Sequence, residues 1–425
     1  MNFRNIIILI ELLSILYNLF IFKLNNTYLN KPLPDVIKDI YDNQRYSTFK
    51  HYRNDKRKIS IFSQVLSLLI TIILLYSPFY SFIDVMSHQN PYIITLLTII
   101  FISLLENIID YPVGYYNHFV IEEKYNKNKL THKQYFSDKI KEYILSLILV
   151  LILYMTITFI GVNIVYVYNH LHLKLIDYML VFCSILLIGV ILYIIILSLA
   201  YIHLKTNYKF TPLNNGSLKD KILSMLKDCP KKVKKILVYN ESAKSTSKNA
   251  FVLKLPFYRE ISIADNFINE NDEYELLAIL SHEIGHLKHK KTILEKLKVL
   301  LFIMIGVIGF ILLYRGQDIA LLNELINQEF HLLTTNYYLL TLTIFTFIKP
   351  LTALFNVLNT YLIRTQEYEA DMHAIQNGYG EALIKTFKQI SNDQLVNVYP
   401  HPIVEFLEYD HPSMYSRISF IKKHL

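Results

Sequence analysis

The segment Ser281-His282-Glu283-Ile284-Gly285-His286 sets two imidazoles four residues apart, with a carboxylate beside the first. On a helix, positions four apart share a face, so both rings can reach one divalent ion. Glu283 falls next to that face, where it can take a proton from metal-bound water without being a ligand. Zinc lowers the pKa of its bound water to about 7, so a carboxylate is a sufficient base at neutral pH. The chemistry this HExxH spacing implies is metal-assisted hydrolysis of a peptide bond.

A hydrolytic zinc needs a third protein ligand and keeps a fourth position for water. A histidine ten residues after the first is lacking, since position 292 is Thr. His289, on the same helix, is either a competing ligand or a basic surface residue among Lys288, Lys290 and Lys291. The downstream stretch Arg364-Thr365-Gln366-Glu367-Tyr368-Glu369-Ala370-Asp371 is the better source. Glu367 and Asp371 are one helical turn apart, so Glu367 can complete the site while Asp371 accepts the N–H of a ligand imidazole and fixes its tautomer. Glu369, two residues from Glu367, points elsewhere. The expectation is one Zn2+ per chain held by His282, His286 and Glu367, with Glu283 as base and Asp371 behind a histidine.

These residues need a helix to present them, and the sequence supplies its signals. Asp272 and Glu275 are spaced as a capping box, and Leu276, Ile279, Leu280, Ile284 and Leu287 follow as an apolar face. Around that helix the chain is unusually apolar: of 425 residues, 53% are hydrophobic and only 18% charged. Seven runs approach or exceed the roughly 20 apolar residues that a bilayer requires: 5–22, 60–86, 92–111, 143–168, 175–202, 297–314 and 337–358. The first follows Arg4 as a signal peptide would, but no small-residue cleavage site comes after Phe22-Lys23, which favours an uncleaved span. Lys and Arg crowd alternate connections, beginning with 23–58 and recurring at 112–142, 203–296 and 359–425, so these face the cytosol and the N-terminus the lumen. Both stretches that carry the chemistry then lie on one side. The sequons at Asn25, Asn215 and Asn240 all fall in cytosolic segments, and glycosylation of any one would contradict this topology.

Other features narrow the class. Glu106 and Asp110 sit at the end of the third run and Lys349 in the seventh; Glu106 faces either a water-filled cavity or the bundle interface. Cys183 and Cys229 provide no disulfide framework. The net charge of +8 resides in the loops between apolar runs, and no nucleic-acid-binding motif accompanies it. The organisation read from this pattern is a membrane region over 1–202 with five spans, a first protease segment over 203–296, two further spans over 297–358 and a second protease segment over 359–425.

Several segments, taken in order, resemble the CAAX prenyl protease 1 family of integral-membrane zinc metalloproteases. They are Tyr116-Asn-His-Phe-Val-Ile-Glu-Glu-Lys-Tyr125, Lys209-Phe-Thr-Pro-Leu213, the strand Ser247-Lys-Asn249-Ala-Phe251 followed by Ile261-Ser-Ile-Ala-Asp265, the two zinc segments, and Asp410-His411-Pro412 with Arg417. The resemblance implies an all-α multi-pass fold, seven transmembrane helices enclosing a chamber, with a gluzincin-type protease domain containing a small β-element on the cytosolic side. It implies that Asn249, at the rim of a substrate strand, and His411 stabilise the oxyanion of the tetrahedral intermediate. Arg417 is expected to partner carboxylates. Arg364 either holds a substrate carboxylate or forms a structural salt bridge. Three positions depart from the family: Ser281 stands for a common Gly, Ile363 for a Ser, and Asp410 for a Ser or similar residue, which puts the charge state of His411 in question.

The implied reaction removes the last three residues, -aaX, from a protein whose C-terminal cysteine is prenylated. The partners are prenylated CAAX proteins and membrane lipid, in the endoplasmic reticulum or inner nuclear membrane. The closing Lys422-Lys423-His424-Leu425 matches a dilysine retrieval pattern. Two other readings remain: a quality-control protease of the HtpX type, which is shorter and lacks the first two spans, and a non-catalytic binder of prenylated or translocating proteins, which would have no use for Glu283.

Overall fold

The structure, a computed structural model, describes residues 2–170, 175–227, 229, 232–255, 258–289, 292–293 and 317–425. The run 297–314 lies outside the described residues. The chain opens with helices α1 (Phe3–Leu29), α2 (Asn43–Tyr76), α3 (Phe79–Met86), α4 (Pro91–Tyr116), α5 (His132–His170) and α6 (Leu175–Asn207). Five of the described helical stretches are long and apolar enough to cross a membrane: Phe3–Leu29, Asn43–Tyr76, Pro91–Glu122, His132–Asn163 and Phe182–Asn207. Their apolar side chains face outward, as Leu13, Leu69, Ile73 and Leu187 do, which is the arrangement lipid requires of a bundle surface.

The second run, read as continuous over 60–86, is broken. Pro78 has no N–H to donate and pushes Ser77 into extended backbone at ψ 164°, so α2 ends at Tyr76 and α3 starts anew. Beyond α4 the backbone passes through a π-helical turn, Asn117–Glu122, before α5. Glu106 and Asp110 line a cavity of about 410 Å³ between α4 and α5, together with Lys139, Glu142 and Tyr154.

Past α6 comes a small α+β unit. Strands β1 (Phe210–Pro212), β2 (Lys235–Tyr239), β3 (Ala250–Leu255) and β4 (Tyr258–Ala264) form a sheet in the order β1-β2-β4-β3. β2 and β4 are parallel, with Leu237 opposite Ser262; β1 and β3 flank them antiparallel, with Val252 opposite Ile261. β3 is an edge strand. Helices α7 (Ser217–Leu226), α8 (Asp265–Glu270) and α9 (Glu273–Lys288) lie about the sheet, and α9 packs on β3.

The C-terminal part holds α10 (Gln317–Phe330), α11 (Tyr337–Gln376), α12 (Gly380–Gln394), α13 (Pro402–Glu408) and α14 (Met414–His424). α11 carries the seventh apolar run and continues without a break through Glu367 and Asp371. At 1.5 Å per residue its 40 residues reach about 60 Å, twice a bilayer's ~30 Å apolar thickness. Two apolar cores result. One gathers Phe3, Ile7, Leu75, Tyr80, Phe330 and Leu339. The other joins the sheet, α9, α12 and α14 to the α1–α2 connection through Ile37 and Tyr41 and to the start of α2 through Phe49. There the Tyr41 hydroxyl donates to the carbonyls of Ser391 and Val396, both at 2.8 Å, so a membrane-helix connection is locked into the α+β unit.

Candidate metal centre

α9 forms as its sequence predicts at its start. The Asp272 carboxylate accepts the N–H of Glu275 at 2.8 Å, which caps the helix. The return half of the capping box does not form: the Glu275 carboxylate instead accepts from Asn271 Nδ2 at 2.7 Å and pairs with Lys385 at 2.6 Å, a partner brought by α12. Leu276, Leu280, Ile284 and Leu287 are buried, which holds His282 and His286 on the face turned to α11.

α9 and α11 cross very closely, and Gly285 is the reason. A Cβ at Gly285 would sit 2.9 Å from Ala370 Cα and 3.0 Å from His373 Cβ. Two polar pairs flank that crossing. His289 Nδ1 meets Glu369 at 2.5 Å, so both residues belong to the helix–helix contact and not to the metal cluster. On the other side, His373 Nδ1 lies 2.8 Å from the Ser281 carbonyl and 3.3 Å from the Ser281 hydroxyl. No local pattern singles out His373, and for Gly285 the one signal of close approach is a glycine inside an apolar helical pattern.

This crossing brings His282, His286 and Glu367 together, with one ligand atom from each all within 4.8 Å of one another. His282 Nε2 is 3.5 Å from Glu367 Oε2, and His286 Nε2 is 3.3 Å from Glu367 Oε1. Ligands at ~2.0–2.1 Å around a tetrahedral ion are spaced about 3.3–3.5 Å apart, so each histidine lies at such a separation from one oxygen of Glu367, while the three-ligand set as a whole spreads to 4.8 Å. Glu367 Oε2 is buried without a well-formed hydrogen bond, although His411 Nδ1 at 3.0 Å and Arg417 Nη1 at 3.3 Å approach it. The residues fit a metal.

Behind the ligands, Asp371 is fully buried with Oδ1 2.9 Å from His282 Nδ1, which turns Nε2 toward the metal position. Arg417, from α14, is buried and joins both carboxylates: Nε donates to Asp371 Oδ2 at 2.9 Å, Nη2 to Oδ1 at 2.5 Å, and Nη1 lies 3.3 Å from Glu367 Oε2. Its guanidinium stacks 4.1 Å over the Phe387 ring. Burial works against each charge here, but the ion pairing wins. Asp371 is held below the ordinary carboxylate range by Arg417 and His282. Glu367 is likewise held below it by its three histidine contacts and Arg417. Burial likewise opposes protonation of His282, yet Asp371 and Glu367 push it up to about 9.

Glu283 is half-buried on α9, close enough for its charge to stabilise the Arg417 cation. His411, largely exposed, has Nδ1 3.0 Å from Glu367 Oε2; that contact raises its pKa against the effect of burial, with Asp410 acting in the same direction. Asn249 stands apart from the cluster. Its side chain is exposed just before β3, while its carbonyl accepts the Ala264 N–H at 2.9 Å. The strand it introduces runs along α9, where Lys254 Nζ lies 3.4 Å from the His286 carbonyl. Arg364 is structural, but through backbone carbonyls and not the expected salt bridge: it donates to the carbonyls of Glu405 at 3.0 Å, Phe406 at 3.1 Å and Tyr409, closing the end of α13.

Comparison with known proteins places the chain among membrane metalloproteases. Residues 23–203 match the family model for the CAAX prenyl protease N-terminal region with five membrane helices, and residues 212–425 match that for peptidase family M48. CAAX prenyl protease 1 of Saccharomyces cerevisiae is 26% identical over 426 positions, covering 91% of this chain and 88% of its own. The CAAX prenyl protease 1 homolog of Dictyostelium discoideum is 25% identical, covering 92% and 89%. The human homolog is 24% identical, covering 92% and 88%. The crystal structure of S. mikatae Ste24p superposes over 99% of both chains with a TM-score of 0.81 at 22% identity, so the two share a fold.

Proposed function

Since the chain belongs to peptidase family M48, we propose that it is a membrane zinc metalloendopeptidase that removes the -aaX tripeptide from prenylated CAAX proteins. The observation that carries the reading is the convergence of His282, His286 and Glu367 from two distant helices, with Glu283 beside them. The relatives named as CAAX prenyl proteases, aligned over nine-tenths of the chain, support the substrate class.

His282, His286 and Glu367 would hold the zinc, which when bound makes its water acidic and polarises the scissile carbonyl. Glu283 takes the proton of the attacking water and delivers it to the leaving amine. Asp371, itself fixed by Arg417, keeps His282 in the tautomer that presents Nε2. With Nδ1–H donated to Glu367, His411 offers a second N–H from Nε2 to the developing oxyanion as the imidazolium, the form its raised pKa favours, and Asn249 donates from the start of β3. The substrate adds as an extended strand along β3, whose outer edge pairs with no other strand among the described residues. Seven spans enclosing a chamber, with the site on the cytosolic side of the endoplasmic reticulum, would let a prenyl chain remain in apolar surroundings while its peptide meets water.

The test uses purified protein in detergent and a farnesylated CAAX peptide. Wild type is expected to release the tripeptide, and Glu283→Gln to retain zinc while losing about 10²–10⁴-fold in turnover. A chelator should abolish activity in wild type. Turnover that survives Glu283→Gln would sink the proposal, as would digestion of unprenylated misfolded membrane protein in place of the peptide.

A further inference from the structure

The first turns of α5 and the loop leading into β3 enclose a cavity of about 400 Å³, with Ser247, two residues before Asn249, on its wall. Its lining carries four carboxylates, Glu122, Asp138, Glu142 and Glu241, against three lysines, Lys127, Lys139 and Lys244, and most are already committed; Glu241 accepts the Ser245 hydroxyl at 2.5 Å. Asp138 pairs with Lys244, Glu142 with Lys139 at 2.7 Å, and Glu122 with Lys56 at 2.7 Å while also accepting the Tyr52 hydroxyl at 2.9 Å. Lys127 differs. It is half-buried on the cavity wall, donates to the Gln394 carbonyl at 2.7 Å and lies 4.6 Å over the Tyr52 ring, and no carboxylate among the described residues pairs with it. Burial draws its pKa down, the direction expected of a cation short of counter-charge. The backbone is shaped to place it: after the π-helical turn, Asn126 adopts φ 56°, and the Lys127 N–H returns to the Glu122 carbonyl at 2.9 Å.

The strand's two ends differ in character. At Leu255, paired with Tyr258, β3 and β4 lie against α6: the Tyr258 ring is 6.0 Å from that of Tyr201, and Lys205 meets Glu260 at 2.6 Å. A peptide added antiparallel to β3 with its scissile carbonyl at the Asn249 end runs back along the strand toward Leu255 and α6, the apolar end on which a prenyl chain would lie. Its last three residues, about 10 Å when extended, then lead on from Asn249 past Ser247 toward the cavity.

Resting on the function proposed above, we propose that this cavity is the subsite for the free C-terminal carboxylate of the substrate and that Lys127 is its counter-ion.

Zinc-loaded wild type and Lys127→Gln would be assayed on one farnesylated CAAX peptide, as the free acid and as the C-terminal amide. Wild type is expected to favour the acid about tenfold in kcat/KM through KM, the size of one charge-assisted hydrogen bond, and Lys127→Gln to lose that preference by weakening on the acid alone. Lys127→Arg should restore it. Equal use of acid and amide by wild type overturns the assignment, and so does a preference that survives in Lys127→Gln or a loss that falls equally on both peptides. If wild type cleaves neither peptide, the catalytic reading fails separately. Equilibrium dialysis with the tripeptide Val-Ile-Met and its amide then decides the subsite: tighter binding of the acid, lost in Lys127→Gln, supports it, and equal binding overturns it.

Discussion

Gly285→Ala tests whether the α9–α11 crossing sets the site. The added Cβ would lie 2.9 Å from Ala370 Cα, 3.0 Å from His373 Cβ and 3.3 Å from Ala370 Cβ. Unstrained carbon contacts lie at about 3.5–4.0 Å, so the helices must part by roughly 0.6–1 Å. The nearest atom is backbone, so no rotamer change relieves the clash. Glu367 lies one turn before Ala370 on the same helix and moves with it, whereas ligand distances tolerate only about 0.2 Å. Overpacking of this kind costs about 1–3 kcal/mol of stability. A misplacement near 1 Å costs on the order of 10²-fold in rate. The variant is expected to remain folded with a lowered Tm, to release zinc to a weaker chelator than wild type does, and to cleave the farnesylated peptide about 10²-fold more slowly. Gly189→Ala on α6, where a Cβ meets nothing within 4 Å, is the control and should leave all three unchanged. A Gly285→Ala protein with wild-type zinc retention and turnover would refute the claim that this approach positions Glu367.

Arg417→Met removes the cation shared by two buried carboxylates and should cost about 3–5 kcal/mol, read as a fall in Tm of the zinc-loaded protein. Arg417→Lys keeps the charge but cannot reproduce the two-pronged contact with Asp371, so it should recover only part of the loss; full recovery would show that charge alone matters. Zinc affinity should depend steeply on pH. The proton on His282 stabilises the zinc-free fold fully below an ordinary imidazole pKa of about 6.5, and that contribution is lost as pH rises through about 9. Zinc competes for the same nitrogen, so its affinity runs the opposite way, strengthening by up to about tenfold per pH unit across this window. Chelator competition from pH 6 to 10 measures it, and a flat profile would contradict the assignment of His282 as a ligand held protonated by Asp371 and Glu367.

What could be read in advance was set by short-range rules. Two histidines four apart must share a helix face, Glu367 and Asp371 must share another, and an apolar run of sufficient length must be helical in lipid; each expectation needs only its own segment. The residues that escaped reading act across segments. Glu275 had the spacing for a capping box, but Lys385 from α12 outcompeted the local N–H. Arg364 had a salt-bridge and a substrate-binding reading, and neither could anticipate that α13 would arrive beside it with the backbone carbonyls it binds instead. Ser281, a departure from the expected glycine, is accommodated because His373 on the opposing helix takes up its carbonyl and hydroxyl. The break at Ser77-Pro78 was legible in principle, since proline restricts the residue before it, but the unbroken apolar composition of 60–86 concealed it.

The continuity of α11 has a mechanical consequence that its separate segments do not suggest. Near its start, Tyr337, Leu339 and Leu340 pack with Phe3, Ile7, Leu75 and Tyr80 in one core, while Ala374 near its end packs with the sheet and α9 in the other. The third metal ligand therefore belongs to a rod anchored at both ends. Between those anchors the rod touches α9 through the Gly285 approach, the His289–Glu369 pair and the His373–Ser281 contact. Three contacts of different kinds, spaced along α9 from Ser281 to His289, fix both separation and register, so Glu367 cannot slide by a turn without breaking all of them. A site assembled from residues 81 positions apart, between Glu367 and His286, thereby gains the rigidity of a site built on one element.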